Sequence, residues 1–181
     1  MVTKLRIYFE GDARLRPGFR QFLSEIANAA SGKKCQFDLI ATDGTPVQDF
    51  RDAMKTHPEA WNVLVLDSDL GRTAVEGCDP ESIFWMVQIM ESWLLVDIDA
   101  LKRFYNGGFQ ESALKGNPNV EQIPKADVLT RLKKATSGTK SGEYHKIKHA
   151  PKLLQEIDPV LVRRFAPNCD RRFRLILAAL G

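Results

Sequence analysis

Cysteine is scarce in this chain. Its three cysteines, Cys35, Cys78 and Cys169, are odd in number and far apart among 181 residues. This excludes a disulfide scaffold and a zinc knuckle, and fits reduced thiols. No stretch approaches the roughly eighteen consecutive apolar residues of a membrane span. The opening MVTKLRIYFEGD meets an acid after a short apolar run, without the long apolar core of a signal peptide, so a cytoplasmic location with no membrane contact is expected. No GxxxxGK[ST] loop is present, which removes Walker-type ATP hydrolysis. Internal repeats and long low-complexity tracts are also missing. What remains is 44% hydrophobic residues, enough to bury the core of one domain without help from a metal or disulfide.

The net charge of +3 conceals a division. Residues 1–130 hold 14 Lys and Arg against 19 Asp and Glu, and residues 131–181 hold 12 against 4. An acidic front suited to cations followed by a basic tail suited to phosphates is the distribution of a nucleic-acid enzyme, although a basic helical surface is also an ordinary solvated face.

Apolar spacing predicts alternating strands and helices. Leu5 to Phe9 is a strand closed by Glu10-Gly11, and a helix over Pro17 to Ala30 stops at Ser31-Gly32. Cys35 to Ala41 is a second strand, followed by the turn signal Thr42-Asp43-Gly44. A helix with Pro46 in its first turn then runs to about Thr56 and turns Val47, Phe50 and Met54 inward. Trp61 to Leu66 is a near-continuous apolar run, the mark of a central parallel strand covered on both faces. Ile83 to Met90 fits both periods; the preferred reading is a strand ending near Met90 and a short helix from Glu91. Asp97 caps a helix over Ile98 to Tyr105, ended by Gly107-Gly108. Short helix at most covers Phe109 to Leu114. Helices are then expected over Lys125 to Ala135, Lys152 to Ile157, Val160 to Phe165 and Asp170 to Leu180, with a polar loop from Ser137 to Glu143. The fold class is α/β: a doubly wound, mainly parallel sheet flanked by helices over residues 1–105, with a basic helical C-terminal extension over residues 106–181 packed on the same domain.

Open parallel sheets bind ligands at the carboxyl ends of their strands, and here those ends carry acids. Glu10 follows the first strand, Asp67 and Asp69 the central one, and Glu91 the expected fourth. Asp67 and Asp69 are two apart, so in an extended segment they share a side and can reach one cation. Clustered carboxylates repel unless a hard cation such as Mg²⁺ neutralises them. Such an ion can orient a phosphodiester, activate water and stabilise charge on oxygen. Each acid also has a plain structural reading as a strand end, a turn or a helix cap.

The pattern IYFEG followed by VLVLDSD resembles the TOPRIM domain of topoisomerases, primases and overcoming-lysogenization-defect nucleases. VQIMESWLLVDIDALKRFY, VEQIPKADVLTRLKKAT and YHKIKHAPKLLQEIDP are similar to a TOPRIM-like bacterial family, the domain of unknown function 4276. The resemblance implies that Glu10 is a general acid or base, that Asp67 and Asp69 bind Mg²⁺ or Mn²⁺, and that Glu91 completes a metal site formed by all four acids. Asp12 is near enough to assist. Of the TOPRIM reactions, hydrolysis asks least of a chain this size, so the resemblance implies a metal-dependent nuclease acting on DNA or RNA. It further implies a role in bacterial defence against phage or foreign DNA beside a separately encoded ATPase of the AAA or ABC type, with self-assembly left open.

Lys140, Lys146 and Lys148 follow the Gly/Ser loop and, with Arg171 and Arg172, are the candidate substrate contacts; Arg163, Arg164 and Arg174 belong to the same basic tail. Tyr144 is either a base-stacking or a core residue. His145 and His149 are spaced for one helix face but lack a partner at a familiar metal-site spacing. The competing function is a noncatalytic nucleic-acid-binding subunit, or a regulatory one docking to an ATPase.

Overall fold

Alternation along the strands decides which face each side chain meets. In the computed structural model, which describes residues 2–42, 44–69, 71–114 and 118–181, β1 (Lys4–Glu10), β2 (Gln36–Thr42), β3 (Trp61–Asp67) and β4 (Ile83–Met86) form one parallel sheet in the order β2-β1-β3-β4. Asp43, part of the expected turn after β2, lies outside the described residues. Leu5, Ile7 and Phe9 of β1, Val63 and Val65 of β3, and Phe84 and Met86 of β4 enter the larger core. Tyr8, Leu64, Leu66, Ile83 and Trp85 enter a smaller core on the opposite face with Phe50. Covering both faces explains why β3 is apolar at nearly every position.

The helices α1 (Arg16–Phe22) and α2 (Ser24–Gly32) carry the chain from β1 to β2 over the larger core, while α3 (Pro46–Thr56) carries it from β2 to β3 over the smaller one. Crossovers on opposite faces make the sheet doubly wound, with its switch point between the carboxyl ends of β1 and β3. The single helix expected over Pro17 to Ala30 is divided because Leu23 leaves helical geometry, at φ −94° and ψ 15°. β4 is shorter than expected, since Gln88 takes a left-handed φ of 29° that an extended strand does not permit.

Beyond β4 come α4 (Glu91–Leu94), α5 (Ile98–Tyr105), α6 (Lys125–Thr136), α7 (Lys146–Glu156), α8 (Pro159–Phe165) and α9 (Pro167–Leu180). Asp97 caps α5 through Ala100 N–H and also accepts from Asp158 N–H, fastening α5 to the start of α8. The later helices share the larger core: Leu132, Leu153 and Phe173 are fully buried in it with the sheet residues. Phe22 stacks on Trp93 at 4.5 Å, and Phe173 meets Phe22 and Phe84 edge-on. Among the described residues, no helix is long and apolar enough to cross a membrane.

Candidate active site

Parallel pairing sets Phe9 beside Val65, so the ends of β1 and β3 deliver Glu10 and Asp67 to neighbouring positions. Glu10 Oε2 accepts a 3.1 Å hydrogen bond from Asp67 N–H. Asp67 continues the alternation of Val63 and Val65 onto the larger-core side, where its Oδ1 accepts from Met90 N–H at 2.9 Å. That bond ties the end of β3 to the residue preceding α4. Glu91, the first residue of α4, is fully buried; its Oε1 accepts from the Tyr144 hydroxyl at 3.1 Å. Its Oε2 has no hydrogen-bond partner among the described residues.

The cation nearest these acids is Lys146, at the first turn of α7. Its Nζ lies 3.4 Å from Glu91 Oε1 and 3.9 Å from Asp67 Oδ2. Burial raises the Asp67 pKa to about 7; Lys146 opposes the rise, Glu91 and Glu10 reinforce it, and the Met90 amide opposes it. The Tyr144 hydroxyl is held well above its ordinary value, first by burial and then by the charge of Glu91 and its hydrogen bond. A second layer positions α7: His149 is buried, and its Nδ1 meets the Tyr105 hydroxyl at 2.8 Å and accepts from His145 N–H at 3.2 Å. His145 is the residue before α7 rather than part of its face. With two donors on Nδ1, the neutral Nε2–H tautomer satisfies the set. Burial lowers the His149 pKa, with further lowering from His145, Lys148 and Lys152, which favours that neutral form.

Asp69 departs from the expectation that it shares a side with Asp67. β3 ends at Asp67, and Asp69 lies in a turn with a left-handed φ of 33°, which breaks the two-residue period. Its Oδ1 is paired with Lys125 Nζ at 2.5 Å. Asp69 faces a second hollow, lined also by Thr45, Arg51 and Arg72, while Asp67 faces a cavity of about 320 Å³ lined by Leu15, Met90, Lys146 and Ile147. Glu10 stands on the ridge between them and lines both. Among the described residues, no three His, Cys, Asp or Glu side chains are grouped so that they could hold a metal ion as they stand.

The proposed substrate contacts separate in space. Lys146 is the counter-ion of Asp67 and Glu91, whereas Lys140 and Lys148 are exposed. Arg171 lines a shallow hollow with Arg163, Arg164 and Arg174. Arg172 does not belong to that surface: it is buried, and its guanidinium donates to the carbonyls of Pro80 and Glu81, closing α9 onto the approach to β4. Asp12 is held to Arg14 by two oxygens, and that pairing keeps its pKa down at about 2. Lys125, Tyr144 as a Glu91 partner, and the Met90 amide were not visible as site groups in the sequence. Lys125 and Tyr144 arrive from distant segments that no spacing rule links to the strand ends, and Met90, though adjacent to Glu91, acts through a backbone N–H that residue type does not reveal.

No curated protein and no solved structure matches the chain. A family match spans residues 13–174, beginning just after Glu10 and including Asp67, Asp69, Glu91, Lys125, Tyr144 and Lys146. By that match over most of its length, the chain belongs to the family described as Domain of unknown function (DUF4276).

Proposed function

We propose that this chain is a divalent-metal-dependent nuclease of the TOPRIM type, hydrolysing phosphodiester bonds in DNA or RNA. The observation that carries the reading is the convergence of Glu10, Asp67 and Glu91 at the switch point between β1 and β3. Two features of the acids fit a hard cation: Glu91 Oε2 is buried without a partner, and Asp67 is crowded enough by burial and like charge to resist ionisation. Asp67 and Glu91 are the residues that would hold Mg²⁺ or Mn²⁺, with Glu10 beside them; Asp69, paired with Lys125 on the other side of the ridge, takes a lesser part. When bound, the ion would supply charge stabilisation at the phosphoryl oxygens and a more acidic water. Lys146 has to yield its place between Asp67 and Glu91, and its ammonium then lies within reach of a phosphate. Glu10, reaching both hollows, is the group to move a proton at its carboxylate. Action in the cytoplasm follows from the reduced thiols expected of Cys35, Cys78 and Cys169, whereas a role beside a separately encoded ATPase of the AAA or ABC type in defence against phage rests on the TOPRIM resemblance alone.

The second reading, a noncatalytic nucleic-acid-binding or ATPase-docking subunit, is favoured by one observation: Lys146 and Lys125 already pair with the candidate ligands. The two separate in a cleavage panel of plasmid DNA, single-stranded DNA and total RNA with Mg²⁺ or Mn²⁺. Wild type is expected to cleave at least one substrate; Asp67→Asn and Glu91→Gln are expected to abolish cleavage, and Asp69→Asn to retain most of it. Equal cleavage by all four proteins would place the activity elsewhere. No cleavage by wild type, even with a genomically neighbouring ATPase and ATP, would transfer the assignment to the noncatalytic subunit.

A further inference from the structure

The cavity above Asp67 joins two unlike surfaces. Glu10 and Asp67 make one side acidic, with Lys146 beside them, while much of the remaining lining is apolar: Leu15 from the turn after β1, Met90 before α4, and Ile147 and Pro151 from α7. Ile147 is 56% exposed, one of two large hydrophobic side chains so open to water among the described residues. Ile147 and Pro151 are four apart on α7 and share one face, and a β-branched side chain on a helix holds essentially one rotamer, so this wall is preformed. At the rim, Arg14 is held by Asp12 through Nε at 2.7 Å and Nη2 at 2.8 Å. That two-pronged contact fixes the plane of a guanidinium, which is itself a stacking surface. The volume, about 320 Å³, lies at the lower end of small-molecule sites.

The geometry points to a cavity that receives one unstacked nucleotide of a single strand, its base against Ile147, Pro151 and Leu15 beneath Arg14 and its phosphate toward Asp67. This substrate assignment rests on the metal-dependent reading, because a phosphate approaches Glu10 and Asp67 only with a cation between. A continuous duplex keeps both faces of each base covered and its bases away from such a wall. A base that lies on this wall must therefore be unpaired, at a single-stranded stretch or a frayed end. Leu15 and Met90 offer a pliable apolar contact without base-edge hydrogen bonds, so the cavity accepts different bases.

The test is binding without cleavage. The full chain, with Ca²⁺ in place of Mg²⁺, is titrated by fluorescence anisotropy into single-stranded DNA, single-stranded RNA of the same sequence, and the blunt DNA duplex. Each DNA carries one 2-aminopurine, whose fluorescence reports unstacking. Single strands are expected to bind about tenfold or more tightly than duplex, with a change in 2-aminopurine emission. Ile147→Ser should weaken single-strand binding about fivefold and leave duplex binding unchanged, with Ile147→Leu restoring it. Arg14→Ala supplies a second variant on the opposite rim, and thermal melts check that each variant is folded. Equal binding of duplex and single strand, or a folded Ile147→Ser variant that binds like wild type, overturns the assignment. Cleavage with duplex preference would leave the nuclease reading standing and this inference refuted. Ile147-dependent single-strand binding without cleavage of any substrate would do the reverse, and failure to bind any nucleic acid would overturn both.

Discussion

Replacing Asp67 by Asn should make the protein more stable above neutral pH. The wild-type carboxyl is pushed from 3.8 to about 7 by burial, with Lys146 opposing the rise, Glu91 and Glu10 adding to it and the Met90 amide opposing it. Below pH 3.8 both folded and unfolded chains hold the proton, and Asp67 contributes no difference. Between 3.8 and about 7 the folded chain retains a proton that the unfolded chain releases, so stability falls as pH rises; above about 7 the whole cost is present. At about 1.36 kcal/mol per pH unit this interval corresponds to roughly 4 kcal/mol, which water entering the cavity reduces to about 2–4 kcal/mol. Asparagine keeps an oxygen for Met90 N–H and removes the charge, so it recovers most of that amount. For a chain of this length the gain is a Tm increase of roughly 5–15 °C. The assay is thermal unfolding with EDTA from pH 3.5 to 8.5: the variant and wild type should coincide near pH 3.5 and separate progressively to a plateau above pH 7.5. Mn²⁺ added at pH 8 should then raise the wild-type Tm and narrow the gap. A variant less stable than wild type at pH 8, or a difference that does not change with pH, would refute the electrostatic reasoning.

Lys146→Met removes the ammonium competing for Asp67 and Glu91. At 3.4 Å such a pair is worth about 5 kcal/mol at an effective dielectric of about 20 and about 1 kcal/mol in water, and for a half-exposed lysine the lower end applies. Mn²⁺ binding by calorimetry should therefore tighten roughly tenfold, and weaker binding would count against Lys146 as the occupant of the cation position. Gly108→Ala should destabilise by about 2–4 kcal/mol in urea titration, because Gly108 has a φ of +89° and a Cβ there would strike the carbonyl oxygen of Gly138. Arg172→Ala should lower stability by about 1–3 kcal/mol through the carbonyls it leaves without donors. Arg171→Ala should leave the melting curve in place, a contrast that separates the inward arginine from the outward one.

The local signals that survived are those whose cause is local. Pro46 in a first turn, Asp97 before Ile98, and the strand ending at Glu10 each depend on neighbours within a few residues, and each appears where the spacing put it. α7 starts earlier than apolar spacing predicts. The spacing predicts a helix only from Lys152, whereas α7 begins at Lys146 and holds Pro151 inside it, where a proline forfeits a backbone hydrogen bond. Lys146, expected as a substrate contact after the Gly/Ser loop, stands in the first turn of α7 against Glu91. Packing of Ala150, Leu153 and Leu154 in the larger core outweighs the local penalty, and no window of sequence contains those partners.

Strand alternation and apolar runs are properties of adjacent residues, so an α/β chain with acids at its strand ends is legible without knowing any contact. Tertiary structure alone decided which acids meet. Glu10 and Asp67 join through the pairing of β1 with β3, Glu91 turns inward at the start of α4, and Asp69 is carried away by one left-handed residue. It also brought Lys146 and Tyr144 back to the acids from more than fifty residues along the chain. Charge and burial act through space: a carboxylate's partners are whatever the fold brings within a few ångströms, and sequence spacing records only those on its own element.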